Sequence, residues 1–151
     1  MDRTRALLLA LLLTAAAFGM FLLFSRPAFA QCTGTARCFN ETVTRVIDGD
    51  TIEIAGTRRV RLVLVDTPEK GDAGFNEAKE FTTNLCLNKY TIIDQDDLQL
   101  YDDYRRMLAV VHCDGVNVNA ALLEEKLAVL YKRFCAESEF GAAEWARKAG
   151  C

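Results

Sequence analysis

The chain has 151 residues, 51% of them apolar, and a formal net charge of −3. Residues 1–30 hold three arginines and one aspartate, so the remainder carries 15 basic and 20 acidic residues, a net charge of −5. That balance weighs against a protein that coats nucleic acid with a basic surface, although a local basic cleft stays compatible because exposed charges are screened over ~8 Å.

In chain order, Asp2-Arg3-Thr4-Arg5 is a short net-positive start, Ala6 to Phe24 is almost unbroken apolar sequence, and Ala28-Phe29-Ala30 puts small residues where a signal peptidase reads. Residues 1–30 are expected to be a signal peptide, which makes the protein exported, periplasmic or extracellular. The apolar run exceeds the ~7–15 residues of a cleaved signal and approaches the ~18 that span a bilayer. An uncleaved N-terminal membrane anchor is therefore the alternative. Gln31 before Cys32 does not look like a lipoprotein junction.

All six cysteines (32, 38, 86, 113, 135, 151) follow this segment. An even count in a short exported domain points to disulfides, although six cysteines allow about fifteen pairings. Cys32–Cys38 is the local expectation, Cys86–Cys113 would tie a helix end to a strand end, and Cys135–Cys151 would staple the C-terminus. A metal site is the rival, but no CxxC pair or nearby histidine supports it.

Residues 31–41 read as a cysteine-bounded lead-in, and 42–151 as one domain with a modest core. Thr42–Ile47 and Thr51–Ile54 are β-branched runs separated by Asp48-Gly49-Asp50, a turn signal. Arg59 and Arg61 alternate with Val60, Leu62 and Leu64 along a third strand. Asn76 to Cys86 is predicted helical, with Ala78, Phe81 and Leu85 at helical spacing. Strands follow at Tyr90–Ile93 and Met107–Cys113, then helices at Val118–Val129 and Glu137–Lys148. Three strands, a helix, two strands and two helices make a small α+β domain, and the five short strands suit a partly open five-stranded barrel.

The chemistry-bearing residues gather where apolar strands end. Val43 to Ile47 leads into Asp48 and Asp50, and Val60 to Val65 leads into Asp66 and Glu69. Hard divalent cations take oxygen ligands, and carboxylates on rigid strand ends hold those oxygens at fixed separation. Asp50 and Asp66 are the candidate direct ligands, the Thr67 backbone carbonyl a third oxygen, and Asp48 an outer group that orients water or balances charge. The alternative is that turns are simply rich in aspartate. Glu69 is placed to position or deprotonate an attacking water, or is an ordinary loop acid. Arg61 offers a bidentate grip on phosphate. Arg105 or Arg106 could add a second phosphate contact or protonate a leaving oxygen, against the commoner role of a surface ion pair. Tyr101, Tyr104 and Tyr131 could stack on bases or pack at a rim. His112, the sole histidine, argues against histidine-based metal nucleases and Ser-His-Asp hydrolases.

These residues resemble the thermonuclease, or staphylococcal nuclease-like, family over most of the chain after residue 30. The matching motifs are Val46-Ile47-Asp48-Gly49-Asp50-Thr51 and Arg61-Leu62-Val63-Leu64-Val65-Asp66-Thr67-Pro68-Glu69. Asn76-Glu77-Ala78, Phe81-Thr82, Asp102 to Arg106, Leu108-Ala109, Asp114-Gly115, Val118-Asn119, Ala121-Leu122 and Leu127-Ala128 follow in order. The resemblance implies an OB-type five-stranded Greek-key barrel with three helices, and Ca²⁺-dependent hydrolysis of DNA and RNA phosphodiesters with little sequence specificity. By position, Asp50 and Asp66 would bind calcium with the Thr67 carbonyl, Glu69 would act on the attacking water, and Arg61 and Arg106 would bind phosphate. Arg106 would also partner the leaving 5′-oxygen. Read from the residues rather than from the resemblance, Tyr104, Arg105 and Tyr131 are the candidate substrate contacts, single-stranded DNA or RNA is the expected substrate, and nothing in the chain demands more than a monomer. The family usually has glycine where Arg105 stands, the Glu69–Asn76 loop is short, and Cys151 replaces a common glycine-tryptophan ending. A non-catalytic OB-fold binding or interaction module is the alternative. A membrane-anchored calcium sensor would need an EF-hand spacing that this chain lacks.

Overall fold

The β-branched runs around the Asp-Gly-Asp turn pair with each other as their pattern dictates. In the computed structural model, which describes residues 32–151, β1 (Cys38–Val46) runs antiparallel to β2 (Thr51–Ile54), with Val46 opposite Ile52. The expected signal or anchor at 1–30 lies outside the described residues. Among the described residues, no helix is long and apolar enough to cross a membrane.

β2 pairs antiparallel with β3 (Arg58–Leu62), and β4 (Val65–Asp66) follows after a tight turn. Helix α1 (Phe75–Cys86) leads to β5 (Tyr90–Gln95), which pairs antiparallel with the first half of β1. β6 (Met107–Cys113) pairs with β5 and, in parallel, with β3, with Arg61 opposite Leu108. That last pairing closes a five-stranded barrel. β1 serves two partners by bending at a register shift between Val43 and Arg45, the kind of bulge that lets a sheet curl shut. β7 (Val116–Asn117) extends the β6 edge, α2 (Val118–Glu124) follows it, and β8 (Val129–Leu130) pairs with β4. Short 3₁₀ turns at Lys132–Phe134 and Glu139–Ala142 precede α3 (Glu144–Ala149). A closed five-stranded barrel with three helices is the α+β, OB-type architecture expected.

Three element boundaries differ from expectation for local reasons. The first strand begins at Cys38 rather than Thr42 because the lead-in is tied to the barrel. Asp94 accepts the Thr33 N–H, and Asp97 those of Thr35 and Ala36. The second helix ends at Glu124, not Val129. Lys126 turns left-handed (φ 59°) so that the Leu127 and Ala128 N–H groups both donate to the Leu122 carbonyl, freeing Val129 for β8. The third helix breaks into a 3₁₀ turn and α3. There Gly141 lies so close to the Cys135 carbonyl that a Cβ could not fit.

The barrel interior is filled by Val43, Ile52, Ile54, Val60, Leu62, Ile93 and Val111, with Val118 and Leu122 of α2 against it. A smaller cluster of Val63, Leu64, Val110, Phe140 and Ala146 seats the C-terminal turns. The fully buried Asn119 joins the two. Its side-chain oxygen accepts from Val111 N–H (3.1 Å), and its amide donates to the carbonyl of Val63 (2.9 Å). The three disulfides are Cys32–Cys38, Cys86–Cys113 and Cys135–Cys151, the pairings expected.

Candidate active site

Alternation along β3 sets Arg61 opposite the barrel-facing Val60 and Leu62, yet Arg61 is 8% exposed. Its guanidinium is covered by the two acidic strand ends. Nη1 lies 3.0 Å from Asp50 Oδ2, and Nη2 lies 2.9 Å from Asp66 Oδ1. The same Nη1 donates to the Val65 carbonyl at 2.6 Å. Leu64 adopts φ 63°, reversing the chain so that Asp66 folds back to the arginine five residues before it. Arg61 therefore both shapes the turn and holds the two carboxylates together.

Asp50 is pinned from several sides. Its Oδ2 accepts from the Thr67 N–H (2.7 Å) and the Thr67 hydroxyl (2.9 Å), and its Oδ1 accepts from the Thr51 hydroxyl (3.2 Å). Beneath the turn, the buried Thr82 hydroxyl of α1 donates to the Gly49 carbonyl at 2.6 Å. Burial pushes the Asp50 carboxyl up to about 6, despite the opposing pull of Arg61 and of the Thr67 hydrogen bonds, and the nearby Asp48 adds to the rise. Asp48 accepts the Asp50 N–H at 3.3 Å, closing the turn. A desolvated carboxylate and a second half-exposed one thus share one guanidinium, with a third carboxylate, Asp48, close to Asp50. The donor set is all oxygen and short of positive charge, which fits a hard divalent cation.

Glu69 lies exposed just after Pro68, and its carboxylate has no hydrogen-bond or ion-pair partner among the described residues. Its backbone carbonyl accepts from Asp72, bracing the loop. Arg106 is clamped by Asp102, with Nε 2.6 Å from Oδ2, and its Nη1 donates to Thr51 Oγ1 at 3.2 Å. Thr51 thereby links Arg106 to Asp50, so the second arginine reaches the acid site through one hydroxyl. Arg61, Arg106, Tyr101, Tyr104, Tyr131 and Arg133 all line one cleft of about 370 Å³. Tyr104 is 80% exposed, with the Arg106 guanidinium 5.3 Å from its ring. Tyr131 packs edge-on against Phe134. Arg105 does not line this cleft; it lines a neighbouring groove.

His112 sits in β6 opposite Ile92 and Asn117, and burial pushes the pKa of its imidazole down. Sequence reasoning left out Asp102 as the Arg106 clamp, the hydroxyls of Thr51 and Thr67, the supporting Thr82, and Arg133 in the cleft. The Asp-x-Tyr-x-Arg spacing was a usable signal for Asp102, since an acid four residues before an arginine can meet it across a turn. The threonines gave none, because hydroxyls in β-branched runs are ordinary strand residues.

A protein-family profile described as "Staphylococcal nuclease homologue" matches residues 59–149. Among curated proteins, the chain is 32% identical over 133 residues to Protein ParB of Escherichia coli, covering 80% of this chain and 70% of that protein. It is 29% identical over 149 residues to the micrococcal nuclease of Shigella flexneri, covering 91% and 80%. With endonuclease YncB of Bacillus subtilis it shares 34% identity over 99 residues, covering 59% and 46%. With its closed barrel, its paired acids bridged by an arginine and this profile match, the chain belongs to the staphylococcal nuclease homologue family and is a nuclease.

Proposed function

We propose that the protein is an exported, calcium-dependent nuclease that cleaves DNA or RNA phosphodiesters with little sequence preference. The observation that supports this best is the convergence of Asp50 and Asp66 on the buried Arg61, beside a cleft that also contains Arg106. Asp50, Asp66 and the Thr67 carbonyl would hold the cation, which when bound supplies positive charge to a phosphate and to the attacking water.

The chain's own groups do the rest. Glu69, unpaired and exposed, accepts the proton of the water that attacks phosphorus. Arg61 and Arg106 donate to the phosphate oxygens, and their grip strengthens as negative charge builds in the five-coordinate transition state. Arg106, held in line by Asp102, hydrogen-bonds the leaving 5′-oxygen and stabilises its developing charge, and that oxygen takes its proton from solvent water. Tyr104 and Tyr131 offer ring faces to unpaired bases, which favours single strands. Asp48 balances charge behind Asp50. The protein acts as a monomer.

The test is cleavage of single-stranded DNA and RNA by oxidised residues 31–151 with Ca²⁺, with Mg²⁺ and with EGTA. Calcium-dependent cutting that EGTA abolishes is expected. A folded, disulfide-bonded sample that cuts nothing would instead indicate a binding module. Arg61→Lys keeps the charge but loses the bidentate bridge. It and Glu69→Ala are each expected to lower turnover by ~10²-fold or more; near-normal turnover would remove the roles given to them. Export rests on the sequence of residues 1–30 and on the three disulfides, and a mature N-terminus at Gln31 is the expected finding.

A further inference from the structure

Beside Arg106 lies a second groove of about 580 Å³, not lined by Arg61, with a lining unusual for so acidic a chain. Arg37, Arg58, Arg59, Arg105 and Arg106 surround it, five of the nine arginines after residue 30, with Glu53 as the only carboxylate among the described residues that line it. Glu53 is already engaged by Arg45 at 3.0 Å. Arg58 reaches Glu41 at 3.4 Å across an exposed surface. Arg37, Arg59 and Arg105 make no ion pair among the described residues. Gathering like charges round one concavity costs free energy that an anion bound there would return.

Two further observations give this charge a direction. The groove shares Tyr101, Tyr104 and Arg106 with the cleft at Arg61, so the two adjoin at the loop that carries these residues. Arg105 is held at φ 61°, a left-handed conformation that glycine enters freely and a side-chain-bearing residue enters at a cost. The chain keeps an arginine in that strained place, and its side chain lines the basic groove.

We infer that this groove is a second phosphate-backbone site, holding the single strand that flanks the position being cut. The inference rests on the nuclease reading above and extends it. A strand gripped at Arg61 and Arg106 passes over Tyr101 and Tyr104, 52% and 80% exposed, where bases stack. Its next phosphates then meet Arg105, Arg59 and Arg37. Substrate length, rather than base identity, is what such a site recognises, because guanidinium contacts to phosphate carry no sequence information.

The test compares the wild type with Arg37→Gln/Arg59→Gln, whose substitutions lie on exposed side chains, and with Arg105→Gly, which relieves the strained backbone. Binding of a labelled twelve-nucleotide single-stranded DNA is followed by anisotropy in EGTA across a salt series, and KM is measured with Ca²⁺ for that strand and for a dinucleotide. The double variant is expected to bind the twelve-mer roughly tenfold more weakly. Its slope of log affinity against log salt should shrink by about 1.4, since each single-strand phosphate contact contributes ~0.7. The ratio of its twelve-mer KM to its dinucleotide KM should rise, and Arg105→Gly should weaken twelve-mer binding while its melting temperature holds or rises. Wild-type affinity and slope in the variants, or equal KM changes for both substrates, would overturn the inference. So would loss of binding to phosphatidylglycerol vesicles with twelve-mer binding intact, which would make this a lipid-facing patch. A wild type that binds the twelve-mer through these arginines but cleaves nothing, whichever cation is supplied, would leave the groove standing and remove the nuclease reading. Normal variants of a protein that does cut would remove the groove alone.

Discussion

At the residue scale, the site is a contest between burial and charge. Asp50 has a carboxyl pushed up to about 6, above the ordinary aspartate value of 3.8. The folded chain thus holds that proton more tightly than the unfolded chain. Its contribution to stability is full below pH 4 and is lost as the pH rises through 6, amounting to about 3 kcal/mol at ~1.36 kcal/mol per pH unit. Asparagine cannot titrate. Without cation, Asp50→Asn should therefore gain on the wild type by up to about 3 kcal/mol between pH 4 and pH 7, as read by urea unfolding in EGTA. Saturating Ca²⁺ should restore the wild type's advantage at pH 7, because a charged carboxylate binds it more tightly than a neutral amide oxygen. A gap that ignores pH would show that Asp50 carries no such cost. How Arg61 meets these acids was only half legible in the sequence. The alternation of β3 gave its side of the strand, but its burial depends on Leu64 entering the left-handed region, which nothing in an apolar run announces.

At the scale of elements, the acid turn is only as firm as the helix beneath it. The Thr82 hydroxyl of α1 is fully buried and donates to the Gly49 carbonyl, which fixes the turn between Asp48 and Asp50. Thr82→Val keeps the shape and removes the donor, leaving a buried carbonyl unsatisfied. It should cost ~1–3 kcal/mol and weaken Ca²⁺ binding, both measurable by calorimetry; an unaltered cation affinity would uncouple the helix from the site. The end of α2 invites the opposite change. Lys126 adopts φ 59° to let Leu127 and Ala128 reach the Leu122 carbonyl. Lys126→Gly should raise the melting temperature by ~2–5 °C, and a fall would mean that the lysine side chain contributes more than its strained backbone costs. The helical spacing Ala78, Phe81 and Leu85 foretold α1 well. The same periodicity ran past the true end of α2, because Leu127, Ala128 and Val129 fit a helix locally and leave it only to pair with β4.

At the scale of the molecule, the disulfides fasten what the short elements cannot. Cys86–Cys113 joins the end of α1 to the end of β6 across 27 residues, and Cys135–Cys151 ties the C-terminal turns across 16. Closing loops of that size restricts the unfolded chain and is worth ~3 kcal/mol each. The Cys86→Ala/Cys113→Ala protein should melt well below the oxidised wild type by circular dichroism, whereas Cys32→Ala/Cys38→Ala, closing only a six-residue separation, should lose less. A reversed order would show that the barrel is stable without its helix staple. That ranking matters for function, because α1 carries Thr82 and thus the floor of the acid turn.

The sequence by itself determined the five strands, the acids at their ends, the family and the fact that the cysteines pair, while the pairing itself came from the structure. These depend on local chemistry: β-branched runs, turn residues, short separations and motifs read in order. The tertiary structure alone decided that Arg61 is buried between Asp50 and Asp66, that Thr51 links Arg106 to Asp50, and that Arg37 joins Arg58, Arg59 and Arg105 in one groove. Those contacts come from closing β3 onto β6 and seating the lead-in beside β5. Residues as far apart in sequence as 37 and 105 become neighbours only when a barrel closes, and no local preference encodes that meeting.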